Sequence, residues 1–247
     1  MIHVGTCGFS ESMKKYFEDF DTVEIQQTFY KILDIKLLKK WRKMAREEFI
    51  FNFKAFQGIT HPYTSKTWKR SNVDISKFKE KVGYLKPTRE VFGFWKKMVE
   101  YADVLNAKVI VIQLPESFKS NNENWGNAEK FFRNIERKNF EIGVELRGWN
   151  EDDIKKFCNK FDVIDVCDLS LRLPVVSNQT SYFRLHGSYK NGKINYYHQY
   201  TDEEMKEAIE KIKRLKSKEI FVYFNNVFML SDSKRFLHLL RKLRKIR

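Results

Sequence analysis

The chain has 247 residues, 42% of them hydrophobic, with 22 phenylalanines and a formal net charge of +15 from 47 Lys and Arg against 32 Asp and Glu. This excludes a disordered chain, and the length suits one eight-stranded α/β barrel. The longest apolar runs are strand-sized, short of the roughly 20 residues of a membrane span, so no membrane partner is expected.

The three cysteines, Cys7, Cys158 and Cys167, have no CxxC spacing. Neither a disulfide framework nor a zinc knuckle is expected, and a reducing cytoplasm fits. The chain opens on a strand pattern rather than a leader-like segment, which agrees with a cytoplasmic location. The positive charge favours encounter with polyanions such as nucleic acid, phosphorylated substrates or anionic lipid. A lysine-rich surface that only keeps the protein soluble is the alternative.

Residues 2–6 read as a first strand ending at Cys7 and Gly8. A second, 22–26, ends in Gln26 and precedes a helix marked by Leu37, Leu38, Trp41, Met44 and Ala45. The third, 51–54, ends in Lys54 and opens a long excursion over 55–88 containing Gly58, His61, Pro62, Trp68, Lys69 and Arg70. A lysine-rich piece within it, 76–84, reads as a short helix, and insertions after barrel strands commonly form lids or substrate walls. Val91, Phe92, Trp95, Met98, Val99, Ala102 and Leu105 then mark a long helix.

The fourth and fifth strands, 109–113 and 142–147, flank a helix with Trp125, Ala128, Phe132 and Ile135. Ile154, Phe157, Cys158 and Phe161 mark the next helix, before a sixth strand over 163–168. Only 169–181 separates it from the seventh strand, 183–186, and Pro174 interrupts that stretch, so the crossover helix there is weak or missing. The glycines and lysines of 187–193 suit a phosphate-holding loop, while Asn191-Gly192 equally suits a tight turn. A helix with Ile209, Ile212 and Leu215 starts near Thr201, which resembles an N-cap followed by first-turn acids. An eighth strand, 222–226, precedes a basic stretch over 233–247 with seven Lys and Arg and no acid. Phe236, Leu239, Leu240 and Leu243 make this an amphipathic helix docked on the body.

Alternating strands and helices argue for a parallel sheet with right-handed crossovers. The fold class is α/β: an irregular TIM-like (β/α)8 barrel, forming a single domain over 1–247 with 55–88 as a lid-like insert. Seven of the eight strands end in a charged or amide residue, and barrel chemistry sits at the carboxyl ends of the strands. Glu24, Glu145 and Asp168 supply carboxylates; Lys54, Arg147 and Arg184 supply cations. Gln26, Gln113, Asn225 and Asn226 supply amides; His61 and His186 supply imidazoles.

Mixed charges in a low-dielectric funnel shift one another's pKa values, as acid–base sites require. Glu24 and Glu145 are the expected acid and base, with His186 as a proton shuttle. Gln26, Lys54, His61, Gln113, Arg147, Asp168, Arg184, Asn225 and Asn226 are the expected substrate contacts. Glu145 and Arg147, two apart on one strand, point to the same face and equally read as charges neutralised by neighbours, and a buried Lys54–Glu24 pair equally reads as architectural. Cys7 lies at a strand end without a general base tied to it by spacing, so it reads as packing rather than as a nucleophile. Glu24, Glu145, Asp168 and His186 are ligands enough for one divalent ion. With five histidines and several nearby cations a multi-zinc centre is not expected; no cofactor is expected, with a single ion left open. Phe29, Tyr30, Trp68, Trp149, Tyr189, Tyr196, Tyr197 and Tyr200 are candidates to stack on bases or sugars.

Several motifs in order resemble the YecE-like family, domain of unknown function 72. They are Gly5-Thr6-Cys7-Gly8-Phe9, the stretch from Val23 to Tyr30, Phe53-Lys54-Ala55-Phe56 with Ile59-Thr60-His61, and the stretch from Gln113 to Phe118. Glu145-Leu146-Arg147 near Trp149, Arg184-Leu185-His186-Gly187 and Tyr223-Phe224-Asn225-Asn226 complete the set. The resemblance implies a TIM-like barrel and carries no settled activity. Two departures stand out. Gln26-Gln27 replaces the family's Asn-Ser, and Val227-Phe228-Met229-Leu230 replaces a small glycine- and alanine-bearing stretch.

Two functions follow as expectations. The first is an enzyme acting on a phosphorylated or other anionic substrate, with a nucleotide or nucleic-acid component among the candidates. The second is a non-catalytic nucleic-acid-binding protein that uses the basic stretch 66–89 and the C-terminal helix. Oligomeric state is not readable from the sequence.

Overall fold

The computed structural model describes residues 1–245. In chain order the first elements are β1 (Ile2–Thr6), α1 (Met13–Asp19), β2 (Thr22–Ile25), α2 (Gln27–Tyr30), α3 (Ile35–Met44) and β3 (Ile50–Lys54). There follow α4 (Gln57–Thr60), α5 (Arg89–Leu105), β4 (Val109–Leu114), α6 (Asn122–Asn134), β5 (Glu141–Leu146) and α7 (Glu151–Phe161). The remainder is β6 (Ile164–Cys167), β7 (Thr180–Leu185), β8 (Ser188–Lys190), β9 (Lys193–Asn195), α8 (Asp202–Lys213), β10 (Glu219–Phe224) and α9 (Met229–Lys245).

Eight parallel strands form one sheet in the order β1-β10-β7-β6-β5-β4-β3-β2, the strand order of a TIM-like (β/α)8 barrel. The crossover between β6 and β7 carries turns and no helix, as the short Pro174-bearing stretch requires. No helix among the described residues is long and apolar enough to cross a membrane. The chain divides into two compact units, Met1–Glu24 with Val166–Arg247, and Ile25–Asp165, with the boundaries inside β2 and β6.

In the first unit β10 pairs with β1, from Ile2↔Ile220 to Thr6↔Phe224, and with β7, from Glu219↔Thr180 to Phe224↔Leu185. Side chains alternate across a strand. Phe183, Leu185, Val222 and Phe224 therefore share one face, where they form a buried core with Met205, Ile209 and Ile212 of α8 and Phe236 and Leu240 of α9. Tyr182, Arg184 and Tyr223 take the other face.

Helix α8 begins with a reciprocal capping box between Thr201 and Glu204. Helix α9 is the docked amphipathic helix expected from its spacing. Two of its basic residues are neutralised: Lys234 by Asp19 and Glu11, Arg235 by Asp202 and Asp232. Ile246 and Arg247 of the basic stretch lie outside the described residues. Two features of this unit are absent from the sequence-based expectation. Helix α1 buries Tyr16 and Phe17, and at 7 residues it is too short to show a 3.6-residue period. Strands β8 and β9 form a hairpin with Asn191 and Gly192 at its tip, both at positive φ (51° and 72°). That is the backbone a two-residue primed turn demands, and Asn-Gly is the pair that supplies it.

In the second unit β4, buried along its whole length, pairs with β3 and β5. Helix α5 packs on α3 and α4. The excursion after β3 starts with α4, whose four residues are all buried. In place of the expected helix over 76–84 it carries short 3-10 turns at Ile75–Lys77 and Lys79–Lys81, after another at Lys66–Arg70. Its returning end is sewn to α4 by backbone hydrogen bonds from Gly83 to Gly58, from Tyr84 to Thr60 and from Leu85 to Ile59. Gly83 sits at φ 80°, where an added Cβ would lie 2.5 Å from the His61 carbonyl. The segment is thereby pinned at both ends.

One close approach in the first unit gives a direct test. A Cβ on Gly5 would fall 2.4 Å from the Thr22 carbonyl oxygen, a backbone atom that cannot swing away. Gly5→Ala is expected to lower stability by about 1–3 kcal/mol, as overpacking does, measured by urea unfolding. An unchanged midpoint would contradict this packing of β1.

Candidate functional site

Each unit carries polar clusters at the carboxyl ends of its own strands. In the first, Glu24 at the end of β2 is fully buried. Arg184 of β7, only 1% exposed, places Nε 3.1 Å from Glu24 Oε1. Tyr182 Oη donates to Oε2 at 2.8 Å and Cys7 Sγ donates to Oε1 at 3.3 Å. Both carboxylate oxygens are thus engaged by protein groups. Burial first, and then the charge of Glu24, push the Cys7 thiol well above its ordinary pKa. Cys7 therefore stays a thiol, the state that disfavours nucleophilic attack. Tyr182, two residues before Arg184, is a member of this cluster that sequence reasoning missed. The period-two alternation of a strand is the signal that finds it.

Asp168 follows β6 and organises the turn after β7. Its Oδ2 accepts from the backbone N–H of His186 at 3.0 Å and from Tyr189 Oη at 2.9 Å, and lies 2.9 Å from His186 Nδ1. Oδ1 accepts from the Ser170 amide. A carboxylate partner at Nδ1 fixes the hydrogen there, so neutral His186 carries its lone pair on Nε2. The Tyr200 hydroxyl braces the same turn, accepting from the Gly187 N–H at 2.8 Å and donating to its carbonyl at 3.0 Å. Asn225 is half-buried, and its backbone N–H bonds Leu185. Asn226 Nδ2 donates to the His198 carbonyl at 2.9 Å and to Asp232 at 2.7 Å, which ties the loop after β10 to the start of α9. Asp232 is a second buried partner that sequence reasoning did not single out. Val227, in the loop that departs from the family pattern, is 56% exposed.

The second unit places Lys54, His61, Gln113, Glu145 and Arg147 at or just after strand ends. Lys54 is buried, its ammonium 3.6 Å from the centroid of the Phe29 ring, a cation–π contact. His61, 6% exposed, has Nδ1 2.8 Å from Thr60 Oγ1 and meets Phe29 edge-on. Its pKa falls from 6.5 to about 3, through burial first, then the charges of Lys54 and Arg147, with Glu145 opposing. Arg147 Nε donates to Glu145 Oε1 at 2.6 Å. The Arg147 side chain is 32% exposed against 10% for Glu145, so the guanidinium is the part that water reaches. Gln113 stands beside Glu145 in strand register. Gln26 is half-buried at the N-terminus of α2, where its side chain makes no capping bond.

The aromatic candidates separate by burial. Trp68 donates its indole N–H to the Pro62 carbonyl and Trp149 to the Phe118 carbonyl; with Tyr200 and Phe29 they are buried. These four are core rather than open stacking platforms. Tyr30 carries Arg70 3.7 Å from its ring centroid, Tyr189 is tied to Asp168, and Tyr196 and Tyr197 are exposed.

Among the described residues no group of three or more His, Cys, Asp or Glu side chains is placed to hold a metal ion. The carboxylates considered as ligands are engaged by Arg184 and Tyr182 (Glu24), by His186, Tyr189 and two backbone amides (Asp168), and by Arg147 (Glu145).

A family model described as protein of unknown function DUF72 matches residues 5–246. None of the curated proteins compared matches the chain. Among solved structures, a DUF72 family protein from Enterococcus faecalis is 20% identical, with a TM-score of 0.69 over 99% of this chain and 98% of that one. Another DUF72 family protein, from Thermotoga maritima, is 21% identical, with a TM-score of 0.69 over 98% and 99%. Endonuclease IV from Thermus thermophilus is 9% identical, with a TM-score of 0.57 over 99% and 100%. At these identities the likeness to solved structures shows the fold alone.

The depressed His61 pKa has a signed consequence. Between about 3 and 6.5 the unfolded chain binds a proton that the folded chain refuses. Stability is therefore fully retained above pH 6.5 and lost as the pH falls towards 3, by up to about 5 kcal/mol from this group. Urea unfolding at several pH values should show a smaller acid loss in His61→Gln than in the parent. Equal losses would contradict the buried neutral imidazole.

Proposed function

The chain belongs to the DUF72 family, a membership that brings no activity with it, and from the chain's own residues we propose an enzyme that holds an anionic substrate at Lys54, His61 and Arg147. The carrying observation is that an imidazole kept neutral first by its burial is pushed further the same way by two cations, with Glu145 the opposing charge. Lys54 and Arg147 both act on His61 as positive charges. Buried positive charge is stabilised when an anion arrives, so this cluster gains from binding what bulk protein would reject.

The groups divide the work by their chemistry. Arg147 presents a planar fork that matches the oxygens of a phosphate or carboxylate, and its partial exposure lets a ligand reach it. Lys54 adds a fixed point charge. His61 exchanges a hydrogen bond with the substrate without adding charge. Glu145, held by Arg147, is the acid–base residue: an anion that competes for the guanidinium loosens that ion pair and raises the basicity of the carboxylate. Gln113 orients the substrate beside it. His186, oriented by Asp168, is a proton-transfer group of the other unit's own cluster. A substrate bearing phosphate, such as a nucleotide or nucleic-acid component, fits the net charge of the chain.

A second reading rests on the segment from Lys66 to Lys81, where Lys66, Lys69, Arg70, Lys77, Lys79 and Lys81 are all exposed against Asp74 and Glu80. It makes the protein a nucleic-acid binder without chemistry. Helix α9 lends it less support, because Lys234 and Arg235 are already paired.

Calorimetric titration with inorganic phosphate separates the two readings. Saturable binding is expected, weakened about ten- to a hundredfold by Lys54→Met or Arg147→Met, the loss of one charge-assisted contact. No phosphate binding, or binding indifferent to both substitutions, would sink the enzyme reading. Oligonucleotide affinity that persists in these variants and falls steeply with salt would transfer the function to the exposed lysines.

A further inference from the structure

Between the outer face of β7 and β10 and the helices α8 and α9 lies a cavity of about 160 Å³. It is on the side of the sheet opposite Arg184, since Leu185 and Phe224 line it and side chains alternate. Leu169, Leu185, Met205, Phe224 and Phe236 form its walls, and all belong to the apolar core of this unit. Close-packed interiors leave few voids larger than a water molecule. In another protein an engineered apolar cavity of about 150 Å³ takes up benzene. This space is therefore the size of one six-membered ring.

The mouth has a different character. Glu204, Glu207 and Lys211 of α8 and the hydroxyls of Ser170 and Tyr200 border it. Glu207 and Lys211 form a 2.8 Å ion pair, which leaves Glu204 as the excess charge of the rim. Glu204 is itself held in place by the α8 capping box and by His198.

We propose that this cavity is a binding site for a small organic cation, with an aromatic ring or branched alkyl body against the core side chains and one ammonium at the Glu204 rim. The site is separate from the Lys54–Arg147 cluster and does not rest on the function proposed for it. Its walls are continuous with the Asp168–His186 pair. Leu169 and Ser170 follow Asp168, Leu185 precedes His186, and Tyr200 bonds both backbone groups of Gly187. An occupant presses on Tyr200 and thereby fixes the turn that carries His186.

Benzylamine is the probe, with benzyl alcohol and benzoate as neutral and anionic counterparts of similar size. Titration calorimetry on the full chain should show one saturable site, tightest for benzylamine and weakest for benzoate, and NMR should show shifts at His186 and Tyr200. Ala208, on α8 at the cavity, can be enlarged without loss of helix propensity. Ala208→Leu should weaken benzylamine by at least about tenfold while thermal stability holds or rises, because the side chain fills the void. Ala208→Met, more pliable, is the companion variant if leucine overpacks. Absence of saturable binding by any of the three probes, or benzylamine affinity unchanged in both variants, would overturn the site. Benzoate binding tightest would overturn the cationic assignment.

Discussion

Glu24 has no exposed surface and Arg184 has almost none. Two ions so far from water persist only together, because desolvating either alone costs several kcal/mol. Tyr182 and Cys7 complete the arrangement by donating to the remaining acceptor positions of the carboxylate. The pair fixes which face of β7 is polar. Once Tyr182 and Arg184 are committed to Glu24, Phe183 and Leu185 must point the other way, and they supply the apolar layer on which α8 and α9 dock. The helix-facing core, its cavity and the turn holding His186 all inherit their placement from that alternation. A strand buried on both faces can carry a charge only where a partner reaches it.

The same constraint gives a different outcome in the second unit. Glu145 is neutralised by Arg147 from its own strand end, and Lys54 leans its ammonium on the Phe29 ring. Burial first, and then the charges of Lys54 and Arg147, keep His61 neutral far below its ordinary pKa. Glu24 and Arg184 close on each other, whereas the charges of Lys54 and Arg147 act on a neutral imidazole. That contrast is the reason ligand binding is proposed for the second cluster.

Much of this was legible in the sequence, for physical reasons that differ by element. All eight sheet strands stand out because buried parallel strands are short apolar runs between helical periods. Helices α3 and α5 to α9 show their apolar stripe directly. Helix α1 has too few residues to display a period. The hairpin strands β8 and β9 are half-exposed and lack an apolar face, so only the Asn191-Gly192 tip signals them. The division of labour among the acids was not legible. Glu24 and Tyr182 are 158 residues apart in sequence, and no local pattern says that Arg184 will consume the carboxylate. Aromatic burial escaped for a related reason: Trp149 stacks on Phe118 and Trp68 meets Phe56, contacts that composition cannot rank. That Glu145 and Arg147 share a face was visible, because residues two apart on a strand do; that they pair with each other was not.

The central claim is that Lys54 and Arg147 hold a positive field around a neutral buried imidazole. The imidazole resonances of His61, followed by NMR across an acid titration of the native protein, report that field directly. The account predicts a His61 pKa near 3 that rises when Lys54→Met or Arg147→Met removes a cation. A His61 pKa close to 6.5, unmoved by either substitution, would contradict it.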